Sequence, residues 1–233
     1  MHLFYQPEAP TIAALTEDDS RHAVKTLRLG MGDEILVTNG QGRQFAGVIT
    51  KADHRQCAFR ITEEKITPAR PFSIRICVAP TKNLDRIEWF VEKAVELGIE
   101  QISFFFSQHS ERRVLKTERI EKIAVSAMKQ SLQSWMPRID EAVSFKQLLA
   151  SVSDEGQRFL AHLPDHEIPS HLFRAAQTNK IYTVLIGPEG DFAEQEIQQA
   201  LQAGFRMVTL GPNRLRTETA ALAACQMLNL LNQ

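Results

Sequence analysis

Apolar and polar positions alternate along the first third of the chain in three short runs, residues 34–38, 44–50 and 56–62, separated by turn-forming residues such as Asn39-Gly-Gln-Gly42. A period of two with β-branched and aromatic residues predicts strands, and several strands so closely spaced predict a small β-barrel. Ahead of them, the stretch from Thr16 to Leu27 reads as a capped helix start, with acidic residues in its first turn and Ala23, Val24 and Leu27 at helical spacing. Pro68-Ala-Arg-Pro71 then predicts a hinge.

Beyond the hinge the texture changes. Residues 73–79 read as a strand, 84–97 as an amphipathic helix ended by Gly98, and 101–106 as a second strand. The rhythm continues with a long helix over 116–134, a strand at 158–161, a helix at 168–176, a strand at 181–186, a helix at 193–203, a strand at 206–210 and a last helix over 217–230. Strands separated by helices predict a parallel sheet with helices on both faces. The expected organisation is a β-barrel domain over 1–70 followed by an α/β domain over 73–233.

Composition narrows the possibilities. With 27 Lys+Arg against 28 Asp+Glu in 233 residues, the net charge of −1 offers no chain-wide attraction to nucleic acid or membrane, so any such partner must be held locally. Cys57, Cys77 and Cys225 are far apart and odd in number, which suggests no disulfide framework, and no segment approaches a membrane span. A cytoplasmic protein is expected.

In open α/β sheets ligands bind beyond the carboxyl ends of strands, so the loops after predicted strands are the informative positions. Two stand out: Gly187-Pro-Glu-Gly-Asp191 after the strand 181–186, and Gly211-Pro-Asn-Arg-Leu-Arg-Thr-Glu-Thr-Ala220 after 206–210. Glycine permits close backbone approach to a ligand and proline stiffens the turn, so the pair could form a pre-shaped pocket; each alone could equally be a simple reversal of direction. There is no GxGxxG, GxxxxGK[ST], GxSxG or HExxH pattern, and Pro164 interrupts the helical spacing of His162 and His166, so phosphate-cradle, hydrolase and metal readings are disfavoured and no metal is expected.

These two loops, together with Glu92-Lys-Ala-Val-Glu-Leu-Gly98, Ser110-Glu-Arg-Arg113 and His22-Ala-Val-Lys-Thr-Leu-Arg-Leu-Gly-Met-Gly-Asp33, resemble the signature segments of the RsmE-like family of SPOUT methyltransferases, over nearly the whole chain. The resemblance implies a trefoil-knotted α/β domain behind a PUA-like RNA-binding domain, a homodimer, and transfer of methyl from S-adenosyl-L-methionine to N3 of a uridine in 16S ribosomal RNA of the small subunit. It implies a cofactor site built from Leu160, His162 and Leu163; from Ile186, Gly187, Pro188, Glu189 and Gly190; and from Leu210, Gly211, Asn213, Leu215, Thr217 and Ala220. Arg216 and Glu218 follow the third loop and could stabilise charge on a uracil carbonyl and orient the base or accept its proton; Glu218 could also simply suit the helix start, with Thr217 and Thr219 capping.

Charge resolved by segment revives RNA as a partner. Seven basic residues face two acidic ones between Arg112 and Arg138. With Arg21, Lys25 and Arg28 near the N-terminus, the residues Arg112, Arg113 and Lys116 make a phosphate clamp plausible, although such a run is often only a solvated face. The chain departs from the resemblance at three places: Asp191 stands where glycine is usual, Lys129 and Leu132-Gln133 where Glu and a Gly-Arg pair are common, and Asn213 where Arg is common. The departures at Asp191 and in the Lys129 segment motivate a competing reading, a non-catalytic RNA-binding or ribosome-assembly factor of the same fold; an α/β enzyme acting on a small molecule is a third.

Overall fold

The computed structural model describes residues 1–164 and 168–233, so His166 lies outside the described residues. The N-terminal part opens with β1 (Leu3–Tyr5), then α1 (Glu17–Arg21), which runs into a single π-helical turn at His22–Thr26. Thr16 caps α1 by accepting from the Asp19 N–H, and three acidic residues in its first turn suit the helix dipole. Three strands follow, β2 (Glu34–Thr38), β3 (Arg43–Lys51) and β4 (Ala58–Ile66). They form a sheet in the order β1-β2-β3-β4, antiparallel except for β1 on β2, and register shifts at Ala46/Gly47 and Ile49/Lys51 bend it. Alternate residues Ile35, Val37, Phe45, Ile49 and Phe59 meet Phe4, Leu15 and Ala23 in one apolar core.

The second part is a parallel α/β unit. Its elements are β5 (Ser73–Val78), α2 (Leu84–Glu96), β6 (Gln101–Phe106), α3 (Thr117–Gln130), β7 (Arg138–Ile139), β8 (Val143–Ser144), α4 (Phe145–Ser151), β9 (Gln157–Ala161), α5 (Leu172–Ala175), β10 (Ile181–Ile186), α6 (Glu194–Gln202), β11 (Arg206–Val208) and α7 (Thr217–Leu231). The sheet order is β11-β9-β10-β5-β6-β7, with β8 also on β6, and every pairing is parallel. Five of the six residues of β10 are buried, which requires cover on both faces. Cys77, Leu160 and Leu185 enter a cluster with Phe145, Leu148, Ile197 and Ala200 from α4 and α6, while α7 packs on α2, β5 and β10.

Several elements differ from the sequence expectation. The helix expected over 168–176 shrinks to the four residues of α5, because Ser170 and Leu172 exchange backbone hydrogen bonds with Thr209 and extend the sheet edge instead. Strand β11 correspondingly stops at Val208 rather than residue 210. Strands β1, β7 and β8 and helix α4 are additions; the strands are two or three residues long, too short to show a period.

The long helix expected to reach residue 134 ends at Gln130 in a Schellman motif: Gln133 N–H donates to Met128 O, Leu132 N–H to Lys129 O, and Leu132 takes φ +56°. Contacts divide the chain within α3, giving one unit of residues 1–69 with 125–136 and another of 70–124 with 137–233. In the first unit Lys129 Nζ lies 2.7 Å from Asp19 Oδ1, and Asp19 Oδ2 accepts the Tyr5 N–H. Lys129 is therefore an internal partner of Asp19.

In the second unit Asp140 accepts from Ser103 Oγ, Gln101 Nε2 and Arg138 Nε at 2.6–2.7 Å, fastening β7 beside β6. Burial alone would raise its carboxyl, but these donors and the Arg138 charge outweigh it and hold the group below the ordinary aspartate range. A depressed value stabilises the fold above the unfolded pKa and loses that contribution as pH falls through the folded one. Asp140→Asn is expected to cost about 1–2 kcal/mol at neutral pH, with the gap to the parent closing under acid, as urea unfolding at several pH values would read. Leu132, 54% exposed and left-handed, has little packing to lose, so Leu132→Gly should raise stability by about 1 kcal/mol, measured the same way.

Candidate active site

Because β9, β10 and β11 are parallel neighbours, their carboxyl ends deliver three loops to one edge of the sheet. Between them lies a cleft of about 610 Å³, a size suited to a cofactor-sized ligand. His162 and Leu163 line it from the first loop, Ile186, Gly187, Pro188, Glu189 and Asp191 from the second, and Leu210, Gly211, Asn213, Arg214, Leu215, Arg216, Thr217 and Ala220 from the third. The walls thus pair apolar surface with exposed backbone, two carboxylates and two guanidinium groups.

Neighbouring loops hold this arrangement. Thr217 Oγ1 donates to Gly187 O at 3.0 Å and Arg214 to Glu189 O at 3.3 Å, seating the third loop on the second. Glu189 accepts the Lys82 N–H from the loop after β5. From the loop after β6, His109 Nδ1 lies 3.1 and 3.2 Å from Gly190 O and Asp191 O, and the Gln108 N–H reaches Glu196, whose second oxygen takes the Ala193 N–H ahead of α6. Below, Phe192 forms a ring cluster with Phe105 and Phe145 at centroid spacings of 5.5–6.0 Å. A Cβ on Gly187 would stand 3.0 Å from the Phe192 ring, so a larger residue there would oblige the ring to shift.

Asp191 occupies φ +61°, the left-handed region that glycine enters freely and aspartate tolerates. Its Oδ1 accepts the Phe192 N–H at 2.8 Å and its Oδ2 lies 3.1 Å from His162 Nδ1. Burial would raise this carboxyl; the His162 ring and the Phe192 N–H outweigh that and bring it below the usual aspartate range.

Most residues that the sequence resemblance placed in the site line the cleft, and three do not. Leu160 is wholly buried in the core of the second unit, one position short of Ala161, where the cleft lining begins. Gly190 is set against His109 rather than on the wall. Glu218, 7% exposed, lies behind the wall: Oε1 is 3.9 Å from Arg86 of α2, and Oε2 is buried with no hydrogen-bond partner among the described residues. Position 218 falls in the first turn of α7 one residue past Thr217, which faces the cleft, and periodicity does not resolve which of the two neighbours does. Asp191, Arg214 and His109 were not foreseen as site residues; Asp191 had a signal, its place in a glycine-rich loop.

The basic stripe between 112 and 138 is less free than its sum suggests. Arg119 pairs with Glu88, Lys129 with Asp19 and Arg138 with Asp140. Arg112 and Arg113 donate to backbone oxygens of Lys82 and Gln108, and Arg113 and Lys116 are exposed. In the first unit Lys25 and Arg28 are exposed, while Arg21 contacts Glu17 and Asp18. Among the described residues no group of three potential metal ligands occurs, and no helix is long and apolar enough to cross a membrane.

Residues 68–229 match the family described as RNA methyltransferase domain, and residues 15–62 the RNA methyltransferase PUA domain. The chain is 30% identical to ribosomal RNA small subunit methyltransferase E of Aquifex aeolicus over 98% of its own length and 99% of that protein's. Among solved structures, one from Porphyromonas gingivalis described as a probable rRNA-methyltransferase shares 38% identity at TM-score 0.92, over 100% of this chain and 98% of that one. Ribosomal RNA small subunit methyltransferase E of Neisseria gonorrhoeae, bound to S-adenosyl methionine, shares 27% identity at TM-score 0.86 over the same fractions. With its cleft at the ends of parallel strands and a PUA segment ahead of it, this chain belongs to the RNA methyltransferase family that includes the ribosomal RNA small subunit methyltransferase E proteins.

Proposed function

We propose that this protein transfers the methyl group of S-adenosyl-L-methionine to N3 of a uridine in 16S ribosomal RNA. The cleft formed by the three loops carries the reading. Its chemistry suits the cofactor: apolar surface from Leu163, Ile186, Leu210 and Leu215 fits a nucleoside, Glu189 is opposite in charge to a sulfonium, and Arg214 and Arg216 suit the amino-acid carboxylate or an anionic substrate. When bound, the cofactor supplies an electrophilic methyl for in-line displacement.

The chain's own contribution is positioning and charge. His162, Leu163 and the two glycine loops hold the cofactor, and Gly211, at φ +137° with open space beside it, allows backbone to approach it closely. Arg216, on the cleft wall, stabilises negative charge on a uracil carbonyl as the imide proton passes to water. Glu218, set behind that wall, acts on Arg86 and the start of α7 rather than on the base. The PUA-like segment, with Lys25 and Arg28, and the loop bearing Arg113 and Lys116 take RNA phosphates. A homodimer and a cytoplasmic location belong to the same proposal. The non-catalytic alternative loses its motivation, since Asp191 adopts glycine's backbone angle and Lys129 has an internal partner.

Arg216→Ala is expected to keep adenosylmethionine affinity within about threefold by calorimetry while lowering methylation of small-subunit RNA by about 10²-fold or more; undiminished methylation would refute the role. RNA binding should weaken steeply with salt, and Arg113→Gln or Lys116→Gln should each lower the log–log salt slope by about 0.7–0.9 in filter binding.

A further inference from the structure

The geometry points to Asp191 and His162 as a latch that joins the first and second loops of the cleft and positions them for the cofactor. The inference rests on the cofactor reading above and concerns a carboxylate that the fold itself does not need at this position. Glycine would satisfy φ +61° without strain, whereas a side chain there carries a conformational cost. Among the described residues the Asp191 side chain makes two hydrogen bonds. The bond from the Phe192 N–H to Oδ1 is local and could form in any turn of this shape. The contact of Oδ2 with His162 Nδ1, at 3.1 Å, spans 29 residues and joins the loops that leave β10 and β9.

Those strands are hydrogen-bonded neighbours with Ile186 opposite Ala161, so the loops start side by side and both residues line the cleft. A carboxylate only accepts, so His162 carries its proton on Nδ1, which fixes the face the ring turns to the cleft. His162 is the less exposed partner, with 15% of its side chain accessible against 47% for Asp191. The backbone of Asp191 is held independently by the His109 ring on Gly190 O and Asp191 O. One side of the latch is therefore anchored before the His162 contact forms, and the carboxylate ties the histidine to that anchored loop. Tying the loops in the cofactor-free protein removes ordering that binding would otherwise require.

The test uses the full chain and adenosylmethionine calorimetry on Asp191→Gly, Asp191→Asn, His162→Ala and the Asp191→Gly/His162→Ala double variant. Glycine keeps the backbone angle and removes the latch, so affinity is expected to fall five- to tenfold with the melting temperature held or raised. Asparagine still accepts from Nδ1–H and tolerates the left-handed angle, so it should stay within about twofold of the parent. His162→Ala should lose as much as Asp191→Gly, and the double variant no more than the weaker single, the mark of coupled residues. In the cofactor-free protein, imidazole 15N shifts should report a protonated Nδ1 on His162 and should change in Asp191→Gly. Losses that add, an Asp191→Gly variant that binds as tightly as the parent, or a ring signature unchanged by it would each overturn the latch. A parent protein that does not bind adenosylmethionine would overturn the cofactor reading instead, and the ring signature would still decide the latch.

Discussion

Parallel hydrogen bonding of β9, β10 and β11 is the constraint on which the rest depends. Parallel strands run in one sense, so each must be followed by a return across the sheet, and every strand releases its carboxyl end at the same edge. Three loops distant in sequence are thereby brought together without any contact between them having to be selected. Everything specific to the cleft is built on that coincidence: Gly187 crossing the Phe192 ring, Thr217 reaching back to Gly187, Arg214 holding Glu189.

A second layer makes the loops rigid enough to hold a ligand. Residues from the loops after β5 and β6, Lys82, Gln108 and His109, act on the second loop and on the start of α6 from behind, mostly through backbone groups. Each sets a backbone group against the side chain of Glu189, Glu196 or His109, and none uses the side chain at 191, so the loop's shape survives the exchange of glycine for aspartate there. The three buried phenylalanines beneath it supply an apolar footing.

Much of this was legible in the sequence. Strands β2, β6 and β10 lie where the pattern put them, because each is a buried or alternating run bounded by turn residues. The two glycine-proline loops announced the cleft for a physical reason: both residue types restrict or free the backbone in ways that strands and helices cannot use. What escaped was set by tertiary pairing. Helix α5 is short because Thr209 competes for its backbone, β7 and β8 are too brief to carry a period, and Glu218 is rotated one residue around α7 from Thr217, which faces the cleft. Counting charges failed in the same way: Lys129 reads as part of a basic stripe, and only the fold reveals that Asp19, 110 residues away, neutralises it.

The division of the chain within α3 bears on how the protein is made. The apolar core of the first unit draws on residues 1–69, yet the unit also includes 125–136, where Lys129 meets Asp19 and the Trp135 indole donates to Thr67 O. During synthesis, then, the amino-terminal unit stays incomplete until residue 136 has left the ribosome, with the roughly 55 residues between 70 and 124 already emerged as a loop. The usual order, in which an N-terminal domain folds before the next is translated, is unavailable to it. This chain completes its first unit only after β5 and β6 of its second have been made.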